Sequence, residues 1–102
     1  MTFSSFHDPS HLYFITASVV EWKPLFLTPE YAVILLNSFE WMQEQNRILL
    51  FAFVIMPNHV HVLLQVQALP LSTVIKDWKG FTSKQANRWL GRTGSFWQLD
   101  YW

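Results

Sequence analysis

One stretch near the middle of the chain decides how the rest is organised: Ile48-Leu49-Leu50-Phe51-Ala52-Phe53-Val54-Ile55-Met56-Pro57-Asn58-His59-Val60-His61-Val62-Leu63-Leu64. Residues 48–56 are a continuous apolar run, too short for a buried helix and rich enough in Phe, Ile and Val for a central strand. Pro57-Asn58 is a tight-turn signal, and residues 59–66 predict the next strand. Because so few residues separate the two strands, only an antiparallel hairpin can join them.

The second strand of this hairpin carries two histidines on one face. Side chains alternate across a strand, so His59 and His61 point to the same side as Leu63 and Gln65. Two adjacent imidazoles are within reach of one divalent cation and leave room for a third ligand and a substrate oxygen. A solvated histidine pair is nevertheless the commoner meaning of this spacing. Gln65 could contact the metal or its water, although an ordinary polar strand residue is the commoner reading of that position.

Further elements are predicted on both sides of the hairpin. Residues 12–20 are rich in β-branched and aromatic residues and predict a first strand. Thr28 and Pro29 predict the start of a helix that ends at residues 44–46. Ser72 predicts the cap of a second helix running to about Leu90, and residues 95–102 have strand character. The buried stripe of the first helix is predicted to be Tyr31, Ile34, Leu35, Phe39 and Met42.

The predicted order β-α-β-β-α-β is that of a ferredoxin-like α+β fold, a four-stranded antiparallel sheet with two helices on one face. A chain of 102 residues is expected to be a single domain, spanning residues 1–102. His59 and His61 should then lie on a central strand and point away from the helices. This fold hosts many functions, so it does not identify one.

The composition excludes several classes of protein. There is no cysteine, which excludes a disulfide framework and a thiolate metal site. The N-terminus lacks the basic start and apolar run of a signal peptide, and the longest apolar run is far short of the ~20 residues that span a bilayer. We therefore expect a soluble, cytoplasmic protein with no membrane partner. The aromatic fraction of 18% is hard to bury in so small a domain, which indicates either a partner surface or a piece of something larger.

The second predicted helix concentrates the positive charge. Residues 1–75 hold two basic and five acidic residues, whereas residues 76–92 hold five basic residues against Asp77 alone. A row of basic side chains on one helix favours contact with the phosphates of a polyanion. The usual alternative is that these side chains are simply solvated.

Trp78, Phe81 and Trp89 on the same helix could stack on unpaired bases, although burial is favoured for Trp78 and Phe81. Gly80 is costly inside a helix and indicates close packing or backbone approach to a phosphate. The residues predicted to contact the phosphates of such a polyanion are Lys76, Lys79, Lys84, Arg88 and Arg92.

The hairpin resembles the signature motif of the single-tyrosine HUH transposases, which are IS200-like, and above all that of their REP-associated branch. The run Met56-Pro57-Asn58-His59-Val60-His61 carries that likeness. Four further stretches are similar to the family: residues 12–16, residues 24–26, the helix segment 75–83 that contains Lys79-Gly80-Phe81-Thr82, and the closing element 96–102 that contains Trp97-Gln98. The resemblance covers nearly the whole chain from Leu12 onward.

The resemblance implies a mechanism and a set of site residues. Family members cleave and rejoin single-stranded DNA through a 5′-phosphotyrosine intermediate, with Mg²⁺ or Mn²⁺ held by the two histidines. His59 and His61 would therefore be metal ligands, and single-stranded or hairpin DNA would be the partner. Known relatives include dimers and monomers, so a homodimer remains open.

The family's nucleophilic tyrosine has no counterpart here, so no catalytic residue is assigned. That tyrosine lies on a helix after the closing element, a helix that we expect this core domain to lack. Tyr13 and Tyr31 fall in the predicted core, and Tyr101 matches an aromatic position of the closing element. Three functions stay open: a transposase-family nuclease and strand transferase, expected here in truncated or fragment form; a non-catalytic binder of single-stranded or hairpin DNA; and a metal-binding ferredoxin-like domain without a nucleic-acid role.

Overall fold

The computed structural model describes residues 11–91 and 93–98. Its strands are β1 (Leu12–Ser18), β2 (Ile48–Met56) and β3 (His59–Val66), and its helices are α1 (Pro29–Glu44) and α2 (Leu71–Leu90). Two short 3-10 turns, Val20–Trp22 and Leu25–Leu27, connect β1 to α1. None of the helices in this described part is long and apolar enough to cross a membrane.

The three strands form one antiparallel sheet in the order β1-β3-β2. The bounds of β2 and β3 agree with the predicted hairpin. The prediction that residues 48–56 form a central strand is wrong, because β3 is central and β2 lies at the edge of this sheet. A bulge at Phe51 interrupts the β2 ladder, since Leu50 pairs with Leu64 and Ala52 pairs with Leu63.

Both helices pack on the same face of the sheet. Alternate residues of β3, from Val60 to Val66, are buried there, and they share one apolar core with α1 and α2. Phe39 of α1 stacks on Trp78 of α2 with their ring centroids 6.1 Å apart. The predicted stripe of α1 is confirmed, with Tyr31 at its margin only half-buried.

The two predicted helix caps have different outcomes. Thr28 occupies the N-cap position of α1 and Pro29 its first turn, although the threonine side chain makes no capping bond. The prediction that Ser72 caps the second helix is wrong, because Pro70 is the N-cap and α2 begins at Leu71. Leu71 is fully buried, so core packing rather than a capping side chain decides where this helix starts.

The predicted fourth strand is not confirmed. Within the described residues the closing segment forms a single antiparallel bridge, between Val19 and Trp97, and residues 99–102 lie outside the described part. Two hydrogen bonds hold this segment to the end of β1: Val20 N–H donates to the Phe96 carbonyl (2.9 Å) and Gln98 N–H to the Ser18 carbonyl (2.7 Å). Phe96 and Trp97 are nonetheless buried in the core.

Buried hydrogen bonds tie the closing segment to both helices. The indole N–H of Trp97 donates to Thr82 Oγ1 (2.7 Å), and the Thr82 hydroxyl donates to the Trp78 carbonyl (3.0 Å). The indole N–H of Trp78 in turn donates to Ser38 Oγ of α1 (2.8 Å). A buried indole donor needs such a partner, so these bonds fix how the closing segment and the helices meet.

Candidate metal centre

The two histidines lie on the face of the sheet opposite the helices, as the alternation of β3 predicts. Their neighbours in β3, Val60 and Val62, are buried, whereas His59 and His61 are half-buried. His59 pairs with Ser18 of β1 and Met56 of β2, and His61 pairs one row further on. The pair is therefore flanked on both sides by hydrogen-bonded strands, which hold its backbone in place. We call this side of the sheet the histidine face.

The two imidazole rings are close and nearly perpendicular. Their centroids lie 4.7 Å apart at an interplanar angle of 82°. In each ring Nδ1 already has a hydrogen-bond partner: Asn58 Oδ1 lies 2.7 Å from that of His59, and Thr16 Oγ1 lies 2.9 Å from that of His61. A carbonyl oxygen can only accept, so Nδ1 of His59 is the donor in this bond, and in the neutral ring Nε2 is then the nitrogen that can bind a metal.

This arrangement matches the way in which proteins usually present histidine to a metal. A ligating imidazole commonly donates its other N–H to a neighbouring oxygen, which fixes the tautomer and the ring orientation. Phe14 restrains His61 further, since its ring stacks on the imidazole with centroids 5.3 Å apart. The donor set thus consists of two oriented imidazoles on a rigid strand.

The described residues bring no protein carboxylate to the two histidines. Across residues 11–91 and 93–98 there is no group of three or more His, Cys, Asp or Glu side chains that could hold a metal. Gln65 lies on the histidine face but two rows beyond His61, about 13 Å along the strand, with Leu63 between them. The structure therefore does not bring Gln65 to the pair.

The histidine face is otherwise largely apolar and open. Beside His61 it forms a shallow depression whose walls include Phe14, Ala52, Val54 and Leu63. Phe14 and Val54 are each more than half exposed. A flat apolar surface with two imidazoles at its centre can take an extended ligand that offers both flat apolar groups and metal-binding oxygens.

Neither described tyrosine lies on the histidine face. Tyr13 is buried on the helix side of β1, and the next residue, Phe14, points to the opposite side, the histidine face. Tyr31 packs against Phe96, with ring centroids 5.7 Å apart. Tyr101 lies outside the described residues.

The basic residues of α2 lie on the other side of the molecule. Leu71, Val74 and Trp78 face the sheet, so the exposed side chains of Lys76, Lys84 and Arg88 point away from it. Lys79 is half-buried, and Arg92 lies outside the described part. The structure thus separates the predicted metal ligands from the predicted phosphate-binding row, with the sheet and α2 itself between them.

The aromatic residues of α2 take three different environments. Trp78 is buried as expected, whereas Phe81 stacks on Trp41 of α1 with centroids 4.6 Å apart rather than packing on the sheet. Trp89 is 57% exposed. The interpretation of Gly80 as a close-packing residue is wrong, because a Cβ atom built there would meet nothing within 4 Å.

The family is decided by a comparison with protein-family models. The model described as "Transposase IS200 like" matches residues 11–102, which is nearly the whole chain. This chain belongs to the IS200-like transposase family. No curated protein matches it.

A solved structure is similar to this IS200-like domain in fold. It is described as a REP-associated tyrosine transposase bound to a REP hairpin, and it superposes with a TM-score of 0.74 at 15% sequence identity. The match covers 100% of this chain and 59% of that transposase. The IS200-like domain therefore spans little more than half the length of that protein.

Sequence reasoning missed two residues of the site. Thr16 of β1 holds His61 from 45 positions away, and only the register between β1 and β3 places it there. The sequence predicts only a turn at Asn58, yet the side chain of this residue also forms a hydrogen bond with His59. Its position directly before the first histidine was a signal available in the sequence.

Proposed function

We propose that this IS200-like domain binds single-stranded or hairpin DNA, with a divalent metal at His59 and His61 meeting a phosphate of the bound strand. The observation that carries the proposal is the orientation of the two imidazoles, whose centroids lie 4.7 Å apart on an open sheet face, with Nδ1 of each ring held by a hydrogen bond. Family membership supplies the substrate class, and the solved relative was captured with a DNA hairpin.

The donor set fits a weakly held Mg²⁺ or Mn²⁺ ion. His59 and His61 would supply two nitrogen ligands, and water or phosphate oxygens, which these ions prefer, would fill the other positions. When bound, the ion would neutralise and polarise the phosphate that it contacts. Thr16 and Asn58 would hold the two rings in the ligating orientation. Phe14 would limit rotation of His61.

The proposal concerns binding rather than cleavage. In-line attack needs a nucleophilic oxygen about 3 Å from the phosphorus, held by a rigid element. Tyr13 and Tyr31 are on the helix side of the sheet and cannot reach a phosphate at the histidine face without unfolding. The family's strand cleavage through a phosphotyrosine is therefore not assigned to any described residue.

The basic row of α2 is proposed as a second contact with the DNA backbone. Lys76, Lys84 and Arg88 are exposed on α2, Lys79 lies between the first two in sequence, and Arg92 follows them. Such contacts add affinity without reading sequence. Because the row faces away from the histidines, one DNA molecule that touches both must pass around an edge of the domain.

The test is fluorescence anisotropy with a labelled DNA hairpin that carries a single-stranded extension, in Mn²⁺ and in EDTA. We expect affinity to fall as salt rises, because phosphates are neutralised. Mn²⁺ should raise the affinity of the wild-type protein severalfold and should have no effect on the His59→Ala/His61→Ala double variant. The double variant in EDTA serves as the matched control, since it should bind as the wild type does there.

Other outcomes separate the competing functions. Salt-dependent DNA binding that ignores Mn²⁺ would favour a non-catalytic DNA-binding remnant and contradict the metal site. Mn²⁺ binding without any affinity for DNA would favour a metal-binding domain with no nucleic-acid role. A protein that binds neither would contradict the whole proposal.

A further inference from the structure

Two successive residues after β1 adopt an unfavourable backbone conformation. Glu21 has φ 56° and Trp22 has φ 57°, both in the left-handed region. Residues with a Cβ atom are disfavoured there, and a bulky residue such as tryptophan is a genuine outlier. Burial does not compensate, because 58% of the Trp22 side chain is exposed. Folding alone therefore does not explain why a tryptophan occupies this position.

The surrounding structure holds this turn in place. Glu21 N–H donates to the side-chain oxygen of Gln98 (3.0 Å), and Trp22 N–H donates to the Val19 carbonyl (3.0 Å). Gln98 is itself bonded through its backbone to Ser18. These bonds hold the strained backbone and the direction of the Cα–Cβ bond, and strained residues that the surrounding structure enforces are common at functional positions.

The turn lies at the same end of the sheet as the histidines. Ser18 is the register partner of His59, and Val19 N–H donates to the Asn58 carbonyl (2.9 Å). Trp22 is four residues beyond Ser18, so their Cα atoms are at most about 14 Å apart. The next residue, Lys23, is exposed and basic. An exposed indole and a cation thus stand within a few nucleotides' reach of the candidate metal centre.

We propose that Trp22 is a base-stacking residue: its indole receives an unpaired base of a single strand whose phosphate lies at His59 and His61. The inference rests on the proposed function and adds a positioning residue to it. The flat indole suits any base, because stacking on an aromatic ring does not depend on hydrogen-bond readout. Lys23 can neutralise a neighbouring phosphate, whereas the exposed carboxylate of Glu21 would repel one, so the base rather than the backbone is the group placed over the ring.

The test compares Trp22 variants for binding to a fluorescein-labelled oligothymidylate in Mn²⁺. Trp22→Gly should weaken affinity at least roughly fivefold, the lower end of what one base–aromatic stack contributes. Trp22→Leu keeps apolar bulk without the ring and should lose as much, whereas Trp22→Phe should retain most of the affinity. Leu27→Ala is the matched control, because Leu27 is an exposed apolar residue of the same loop and should not matter.

Stability measurements keep a folding defect apart from a binding defect. Glycine adopts the left-handed conformation without strain. The unfolding temperature of Trp22→Gly should therefore be at most a few degrees below that of the wild-type protein. Wild-type binding with no loss in Trp22→Gly would overturn the stacking role and leave the proposed function standing. Equal losses in Trp22→Leu, Trp22→Phe and Leu27→Ala would show that DNA affinity depends on apolar bulk in this loop rather than on an aromatic ring at residue 22, and would also overturn it. Failure of the wild-type protein to bind oligothymidylate would overturn the stacking role, and the hairpin titration would then decide whether the proposed function falls with it.

Discussion

At the scale of single residues, the site depends on which nitrogen of each imidazole is available. The side chains of Asn58 and Thr16 occupy both Nδ1 positions, at 2.7 and 2.9 Å. The metal-binding capacity proposed for His59 and His61 therefore rests on two neighbours that carry no charge and bind no metal themselves. Of these neighbours, Thr16 offers the cleaner test, because valine has nearly its shape and suits a β-strand equally well.

We expect Thr16→Val to lower Mn²⁺ affinity by roughly 10- to 100-fold, the usual effect of removing a partner that orients a metal ligand. The Thr16→Ser variant retains the hydroxyl and should bind Mn²⁺ nearly as well as the wild type. Electron paramagnetic resonance of free Mn²⁺ in a titration measures both. Equal affinities in the valine and serine variants would mean that the hydroxyl of residue 16 does not orient His61.

At the scale of elements, local patterns predicted the hairpin and both helices, because these depend on neighbours in sequence. The alternation of β3 and the Pro57-Asn58 turn set strand bounds that the structure reproduces. Whether β2 is a central or an edge strand could not be predicted, because an apolar run of this kind has the same composition in either position. The start of α2 was misjudged at Ser72 because burial of Leu71 outweighs a capping side chain.

The proposed role of α2 leads to a prediction about its outward charges. Lys84→Ala and Arg88→Ala should each weaken hairpin-DNA binding at every sequence and reduce the salt slope by about one. Lys84→Arg preserves the charge and should keep the slope. Affinity measured at several salt concentrations provides the slopes. If both alanine variants retain the wild-type slope, the basic row does not contact phosphate and only solubilises the helix.

At the scale of the whole molecule, contacts between distant segments build the site, and these are what the sequence could not supply. Thr16 meets His61 across 45 positions, and the indole of Trp97 meets Thr82 between the closing segment and α2. The same packing sets the histidine face and the basic row on opposite sides of the domain. The sequence predicts that the histidines point away from the helices, but which side of α2 its basic residues occupy depends on which of its residues the core buries.

The most direct test of the central claim is proton NMR of the imidazole signals while substoichiometric Mn²⁺ is added. A bound paramagnetic ion broadens the signals nearest to it, so those of His59 and His61 should disappear first. His11 lies at the other end of β1, about 16 Å along the strand from the row that contains His61, and should remain sharp. Equal broadening of all imidazole signals, or broadening of His11 before the pair, would show that His59 and His61 do not form a metal site.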